Sequence, residues 1–165
     1  MKFLEVKFDN IKELAELASG IWHEYWPCIL SVEQINYMVD KFQSEHAILE
    51  QIKNENYTYY FILKDGNKCG YFGISRKEDY LFLSKLYIKK EYRHQGIGRI
   101  AFGEIKNIAE NYGYTKIKLT VNKNNKHTIN AYLKYHFAIV AQDVTDIGNG
   151  FVMDDYIMEY TSIVY

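Results

Sequence analysis

LSKLYIKKEYRHQGIGRIAFGEIKNIAENYG, from Leu83 to Gly113, reads as a strand, a glycine-bearing turn and a helix. Arg93, Gly96 and Gly98 stand where the strand gives way to the helix. A helix leaves its first four backbone N–H groups without intrahelical partners, and its macrodipole adds partial positive charge there, so anionic oxygens are favoured. Gly96 and Gly98 remove Cβ atoms that would hold a ligand off the backbone, and they tolerate positive φ where the loop must turn. A few amides, at roughly 1.5–3 kcal/mol for each charge-assisted bond, supply much of the affinity for a diphosphate. Arg93 and Arg99 add the prospect of direct charge pairing.

Neither better-known phosphate loop fits. A dinucleotide fingerprint needs G-x-G-x-x-G, but Gly96-Ile97-Gly98 runs on into Ile100 and Ala101 without a third glycine. The string G-x-x-x-x-G-K-[ST] of a P-loop is nowhere in the chain.

Arg93-His94-Gln95-Gly96-Ile97-Gly98 does match [RQ]-x-x-G-x-[GA], after a strand, LSKLYI. Further on, LTVNKNNKHTINAYLKYHF, Leu119 to Phe137, carries Asn125, Tyr132, Lys134 and Phe137 in a strand-N-x-x-[small]-x-x-x-Y-x-K-x-G-F frame. In both stretches the chain resembles the GCN5-related N-acetyltransferases (GNAT), and two motifs in order are far more specific than either alone. The resemblance covers residues 57 to 160 well and the first 56 in outline. It implies an α/β GNAT acyl-CoA N-acyltransferase fold, a mixed central sheet in the order β-α-α-β-β-β-α-β-α-β-β with strands 4 and 5 splayed, and acetyl-CoA as acyl donor.

Composition agrees with one ordinary globular domain over residues 1–165. The chain is 48% hydrophobic and 25% charged, which argues against disorder. A net charge of −1 offers no basic excess for a nucleic-acid partner. Cys28 and Cys69 have no metal-ligand spacing, and the five histidines are scattered, so neither a disulfide framework nor a metal site is expected. MKFLEVKFDN carries charges throughout, and no apolar run approaches the ~20 residues of a membrane helix. We therefore expect a cytoplasmic protein with no membrane partner, and a homodimer is the assembly allowed for. Sixteen tyrosines, in runs such as YTYYFIL, are too many to be catalytic, and most must be structural.

Along the chain, KFLEVKF alternates as a first strand. Asn10 is a candidate N-cap for a helix with Ile11, Leu14, Leu17 and Ala18 on one face, and Pro27 closes that region. Ser31-x-x-Gln34 resembles a capping box, and Ser44 is a further capping signal, so residues 10 to 53 read as helical with interruptions. YTYYFILK and KCGYFGISR flank Asp65-Gly66-Asn67 as a hairpin. YLFLSKLYIKK is the third strand of that meander. A helix ending at Gly113, the strand TKIKLTV, a helix over 125 to 136 and strands near 137 to 143 and 151 to 160 complete the order.

The resemblance implies direct transfer of an acetyl group to an amine. Backbone groups of Leu86, Tyr87 and Ile88 would meet the pantetheine arm as a pseudo-strand. The amides of Gln95, Gly96, Ile97, Gly98 and Arg99 would meet the diphosphate, with Arg93 and His94 in the same turn. Asn125 would anchor the cofactor arm or simply cap its helix. Tyr132 would donate to the departing sulfur as the catalytic acid. His136 stands where the family commonly has glycine, which puts the geometry after that helix in doubt.

The chain also departs from the family in its base. No Asp, Glu or His lies between Tyr80 and Lys89, where the family often has a carboxylate. Glu24, Glu78, Asp79 and Asp155 are the candidates left, and a solvated carboxylate is the plain alternative for each. In IWHEYWPCIL, Trp22, Glu24 and Tyr25, beside Trp26, suit a substrate wall for a cation, while packing of an amphipathic helix explains them equally well. The expected acceptor is a small-molecule amine, with a polyamine as one case. A non-catalytic acyl-CoA sensor and a protein N-terminal or lysine acetyltransferase are the alternatives.

Overall fold

The computed structural model describes residues 1–162. In chain order its elements are β1 (Lys2–Glu5), α1 (Ile11–Tyr25), α2 (Val32–Gln43), α3 (Glu45–Asn54), β2 (Tyr57–Lys64), β3 (Asn67–Arg76), β4 (Leu81–Ile88), α4 (Ile97–Asn111), β5 (Lys116–Asn122), α5 (Lys126–Lys134), β6 (Ala138–Gly148) and β7 (Phe151–Thr161). The strands form one sheet in the order β1-β2-β3-β4-β5-β7-β6. β4 pairs with β5 in parallel, at Leu81↔Ile117 and Phe82↔Lys118. The mixed seven-stranded sheet is the one expected.

Three helices, rather than two, precede β2. Ser44 closes α2 and opens α3 with an extended ψ of 161°, and its Oγ accepts from the Ala47 N–H at 3.2 Å. One serine thus breaks a run that periodicity alone reads as nearly continuous. Ser31 caps α2 as read, accepting from the Gln34 N–H. Asn10 flanks α1 but does not cap it, because its Oδ1 instead accepts from the Lys7 N–H at 2.7 Å.

Contacts divide the chain into two compact units. The first comprises Met1–Arg76 and Ser84–Phe102. Its core gathers Leu14, Ala18 and Ile21 of α1, Ile48 of α3, and Tyr59, Phe61 and Tyr71 of the meander. The buried tyrosines keep their hydroxyls satisfied. Trp22 Nε1–H donates to Tyr71 Oη at 2.8 Å, Tyr71 donates on to Gln43 Oε1 at 2.7 Å, and Tyr59 donates to Gln51 Oε1. Burial raises both tyrosine pKa values, so these groups hold packing together and do not titrate near neutrality. A Cβ on Gly73 would lie 2.6 Å from the Tyr59 ring, which is why glycine faces that tyrosine. Asp65 and Gly66, at φ 51° and 83°, make the predicted hairpin turn.

The second unit comprises Lys77–Leu83 and the chain from Gly103. Here β7 pairs antiparallel with β5 on one side and with β6 on the other. Buried Leu81, Ile105, Ile117, Leu119, Phe137 and Met158 belong to its core. Gly113, at φ 79°, ends α4 as expected, with the Tyr114 N–H reaching back to the Ala109 carbonyl.

Candidate active site

The turn before α4 is built by one arginine. Arg93 Nε donates to the Ile88 carbonyl at 2.9 Å, and Nη2 donates to Glu24 Oε1 at 2.9 Å. The same Glu24 oxygen accepts from the Lys90 N–H, and the guanidinium lies over the Tyr25 ring, 5.1 Å from its centroid. Arg93 is therefore a clamp joining the end of β4, the turn and the last residues of α1. Two of its N–H donors are taken up by protein oxygens, so the expected pairing of the guanidinium with a diphosphate would fall to the others. The Ile88 carbonyl at the end of β4 accepts this one bond from Arg93.

His94 and Gly96 hold φ of 60° and 75°, the left-handed conformations that turn the chain into α4. His94, Gln95, Gly96 and Arg99 are exposed and Ile97 is buried, so the helix start opens to solvent while its first apolar side chain anchors it. A Cβ on Gly96 would meet no atom within 4 Å. Glycine is required there by φ, and the open space before it is what an anion at the helix start would occupy. The residues present thus fit the diphosphate of coenzyme A.

Gly70 of β3 supports the same strand. A Cβ there would fall 2.3 Å from the Tyr87 carbonyl oxygen, so only glycine lets β3 lie against this part of β4. Nearby, Lys85 Nζ donates to Ser84 Oγ at 2.5 Å, Tyr57 Oη donates to the same Oγ at 3.1 Å, and Lys85 lies over the Tyr57 ring. Burial pushes Lys85 down to about 8, against a smaller opposing pull from Glu55. Sequence reading passed over Ser84; two polar residues in the otherwise apolar LFLSKLYI were the available signal.

The residues expected as a substrate wall lie at the end of α1, against β4. Trp22 is buried with its N–H on Tyr71, and Glu24 is engaged by Arg93 and Lys90. The rings of Trp22, Tyr25 and Trp26 gather around Tyr87, with centroids 5.4, 5.9 and 6.5 Å away. These ring contacts to β4 are of the kind the packing alternative describes. Glu24 is held in an ion pair with Arg93, and Glu78 and Asp79 lie exposed between β3 and β4.

The second unit holds the remaining candidates. Asn125 is 6% exposed and caps α5, its Oδ1 accepting from the Thr128 N–H. Tyr132 is buried on α5, its ring edge-on to Phe137 at 5.2 Å. After α5, His136 takes φ 67°, and the Phe137 N–H returns to the Tyr132 carbonyl. That left-handed position is the reason the family pattern carries glycine there, and histidine adopts it under strain with the helix end intact.

Asp155 of β7 is 6% exposed, and its Oδ1 is buried without a hydrogen-bond partner. Burial, with Asp154 and Asp143 nearby and only partial relief from Lys123, pushes it up to about 6. Of the four carboxylates considered as bases, it is the one buried within a strand. Both cysteines are free thiols, and among the described residues no group of His, Cys, Asp or Glu is disposed to hold a metal ion. Nor is any described helix long and apolar enough to cross a membrane.

Comparison with known proteins accords with this geometry. The family model described as "Acetyltransferase (GNAT) family" matches residues 18–137. A spermidine N(1)-acetyltransferase of Thermoplasma acidophilum is 24% identical over 154 residues, covering 91% of this chain and 93% of that one. Among solved structures, the PaiA N-acetyltransferase of Thermoplasma acidophilum in complex with coenzyme A superposes with a TM-score of 0.76 at 22% identity, over 98% and 99% of the two chains. A GCN5-related N-acetyltransferase structure from Rhodopseudomonas palustris gives a TM-score of 0.79 at 12% identity, over 97% and 94%.

Proposed function

Because the chain belongs to the GNAT acetyltransferase family and is an acetyl-CoA-dependent N-acetyltransferase, we propose that it acetylates a primary amine of a small molecule by direct transfer, a polyamine being the first acceptor to try. One observation carries this choice. The likeness to the spermidine acetyltransferase spans 91% of this chain, so it is not confined to the cofactor turn.

In this reading acetyl-CoA brings an activated thioester. The amides of Gln95 to Arg99 hold its diphosphate, Arg99 adds charge, and backbone groups of Leu86 and Tyr87 hold its pantetheine amides. Arg93 and Glu24 keep the turn in shape. An alkylammonium with a pKa near ~10 is only about one part in a thousand neutral at pH 7, a cost of about 4 kcal/mol, so the amine must lose a proton before its lone pair can attack. The C–N bond then forms as C–S breaks, and the Tyr132 hydroxyl donates a proton to the leaving thiolate. Tyr132 recovers the second proton lost by the nitrogen, by way of solvent. One proton per turnover is released, the one the ammonium gave up at the start.

The test is coenzyme A thiol release from acetyl-CoA across a panel of polyamines, aminoglycosides and lysine-bearing peptides. Release with polyamines supports the reading. Release confined to peptides would make the protein substrate the correct one, and acetyl-CoA binding with no acceptor on the panel would leave a sensor.

A further inference from the structure

The cross-strand register around Asp155 sets three polar side chains in one row. Asn122 of β5 and Asp143 of β6 both stand directly opposite Asp155 of β7. Directly opposed residues share a sheet face, with Cβ atoms roughly 4.5–5.5 Å apart. One amide and two carboxylates are thus brought together by strands distant in sequence.

The charges in this row do not balance. Lys123 is the cation at hand, and its ammonium is ion-paired with Asp154. The Asn122 side-chain oxygen is occupied by the Asn124 N–H, and one Asp143 oxygen accepts from Thr145 Oγ1. Asp155 is more than nine-tenths buried, and its Oδ1 receives no hydrogen bond. A buried carboxylate oxygen left unpaired is among the more expensive arrangements a fold retains, and such a group calls for a partner from outside. The next row on the same face is Thr120, Ile157 and Ala141, all uncharged, at the roughly 7 Å repeat of two residues along a strand. Carboxylates beside an uncharged, partly apolar row suit an ammonium on a methylene stem. A metal ion suits them less, because the described residues offer it no three-ligand group.

We propose that the row Asn122, Asp155 and Asp143 docks the acceptor's ammonium group, with Asp155 as its principal contact and Ile157 beneath its methylene stem. The proposal rests on the reading that the acceptor is an aliphatic amine. It gives Asp155, considered from sequence only as a base, the role of a specificity residue on β7. A carboxylate that titrates near 6, with Asp143, Asp154 and Lys123 as the charged groups about it, is ionised at neutral pH and ready for a cation.

The experiment compares the full chain with Asp155→Asn, which keeps shape and removes charge. Spermidine binding is measured calorimetrically without acetyl-CoA, and KM for spermidine and for acetyl-CoA is measured separately. The expected result is spermidine affinity lower and spermidine KM higher by about tenfold or more, the scale of one charge-assisted bond. The KM for acetyl-CoA should change less than about twofold, and circular dichroism confirms folding. Unchanged spermidine affinity and KM in a folded Asp155→Asn protein would overturn the docking site while leaving the acetyltransferase reading intact. Loss of spermidine binding in Asp155→Asn, in a protein that acetylates no amine, would uphold the docking site and sink the proposed function. Failure of the parent chain to bind spermidine at all would overturn the docking site.

Discussion

His136 shows how one side chain can be tolerated against a backbone preference. Its φ of 67° has a conformational cost that glycine lacks, so His136→Gly is expected to raise stability by about 1 kcal/mol, read as a higher denaturant midpoint at unchanged slope. Asp155 carries a larger burden of opposite origin. Its pKa of about 6 in the fold lies above its ordinary 3.8, so the folded chain holds that proton more tightly than the unfolded one. Stability from this group is therefore lost as pH rises from 4 to 6, and the full cost, on the order of 3 kcal/mol, is present above pH 6. Asp155→Asn should melt at a higher temperature than the parent at pH 7.5, with the gap closing below pH 4; equal melting at both pH values would contradict this. His136 was legible in the sequence as a departure from a glycine pattern. Asp155 was legible only as one carboxylate among four, because its burial comes from pairings with Asn122 and Asp143 that no local window contains.

At the scale of elements, the strand, turn and helix from Leu83 were legible because every signal in them is local: apolar alternation, two glycines, an amphipathic face. The partner that shapes the turn was not, since Glu24 lies on another element 69 residues earlier. Two substitutions separate these contributions. Gly96→Val places a β-branched side chain at φ 75° in the space before α4, and acetyl-CoA affinity should fall at least about tenfold in a folded protein. Glu24→Gln weakens the clamp without touching the turn's amides, so KM for acetyl-CoA should rise by a few-fold while spermidine KM holds steady. If Glu24 instead formed an acceptor wall, the two effects would be reversed. Helix count failed at this scale for a comparable reason: Ser44 is both an end and a beginning, and the sequence signal for each is the same serine.

For the molecule as a whole, local periodicity located the strands but not their neighbours. Nothing in residues 138–161 says that β7 lies between β5 and β6, and the mixed sheet was legible only through family resemblance. The order has a measurable result. β6 stands at the end of the sheet and is exposed along nearly its whole length, whereas β7 is paired on both sides. Amide exchange should therefore release β6 well before β5 or β7. Slow exchange throughout β6 would indicate that another surface covers it, and a change with protein concentration would identify that surface as a second copy.

Gly70 carries a genetic consequence. Its missing methyl group is what leaves room for the Tyr87 carbonyl. Any allele that adds even one carbon there displaces the edge of β4 that we propose meets the pantetheine. In a screen of random variants for lost acetyltransfer, Gly70 should surface as often as the glycines of the turn, from a codon that no cofactor motif marks.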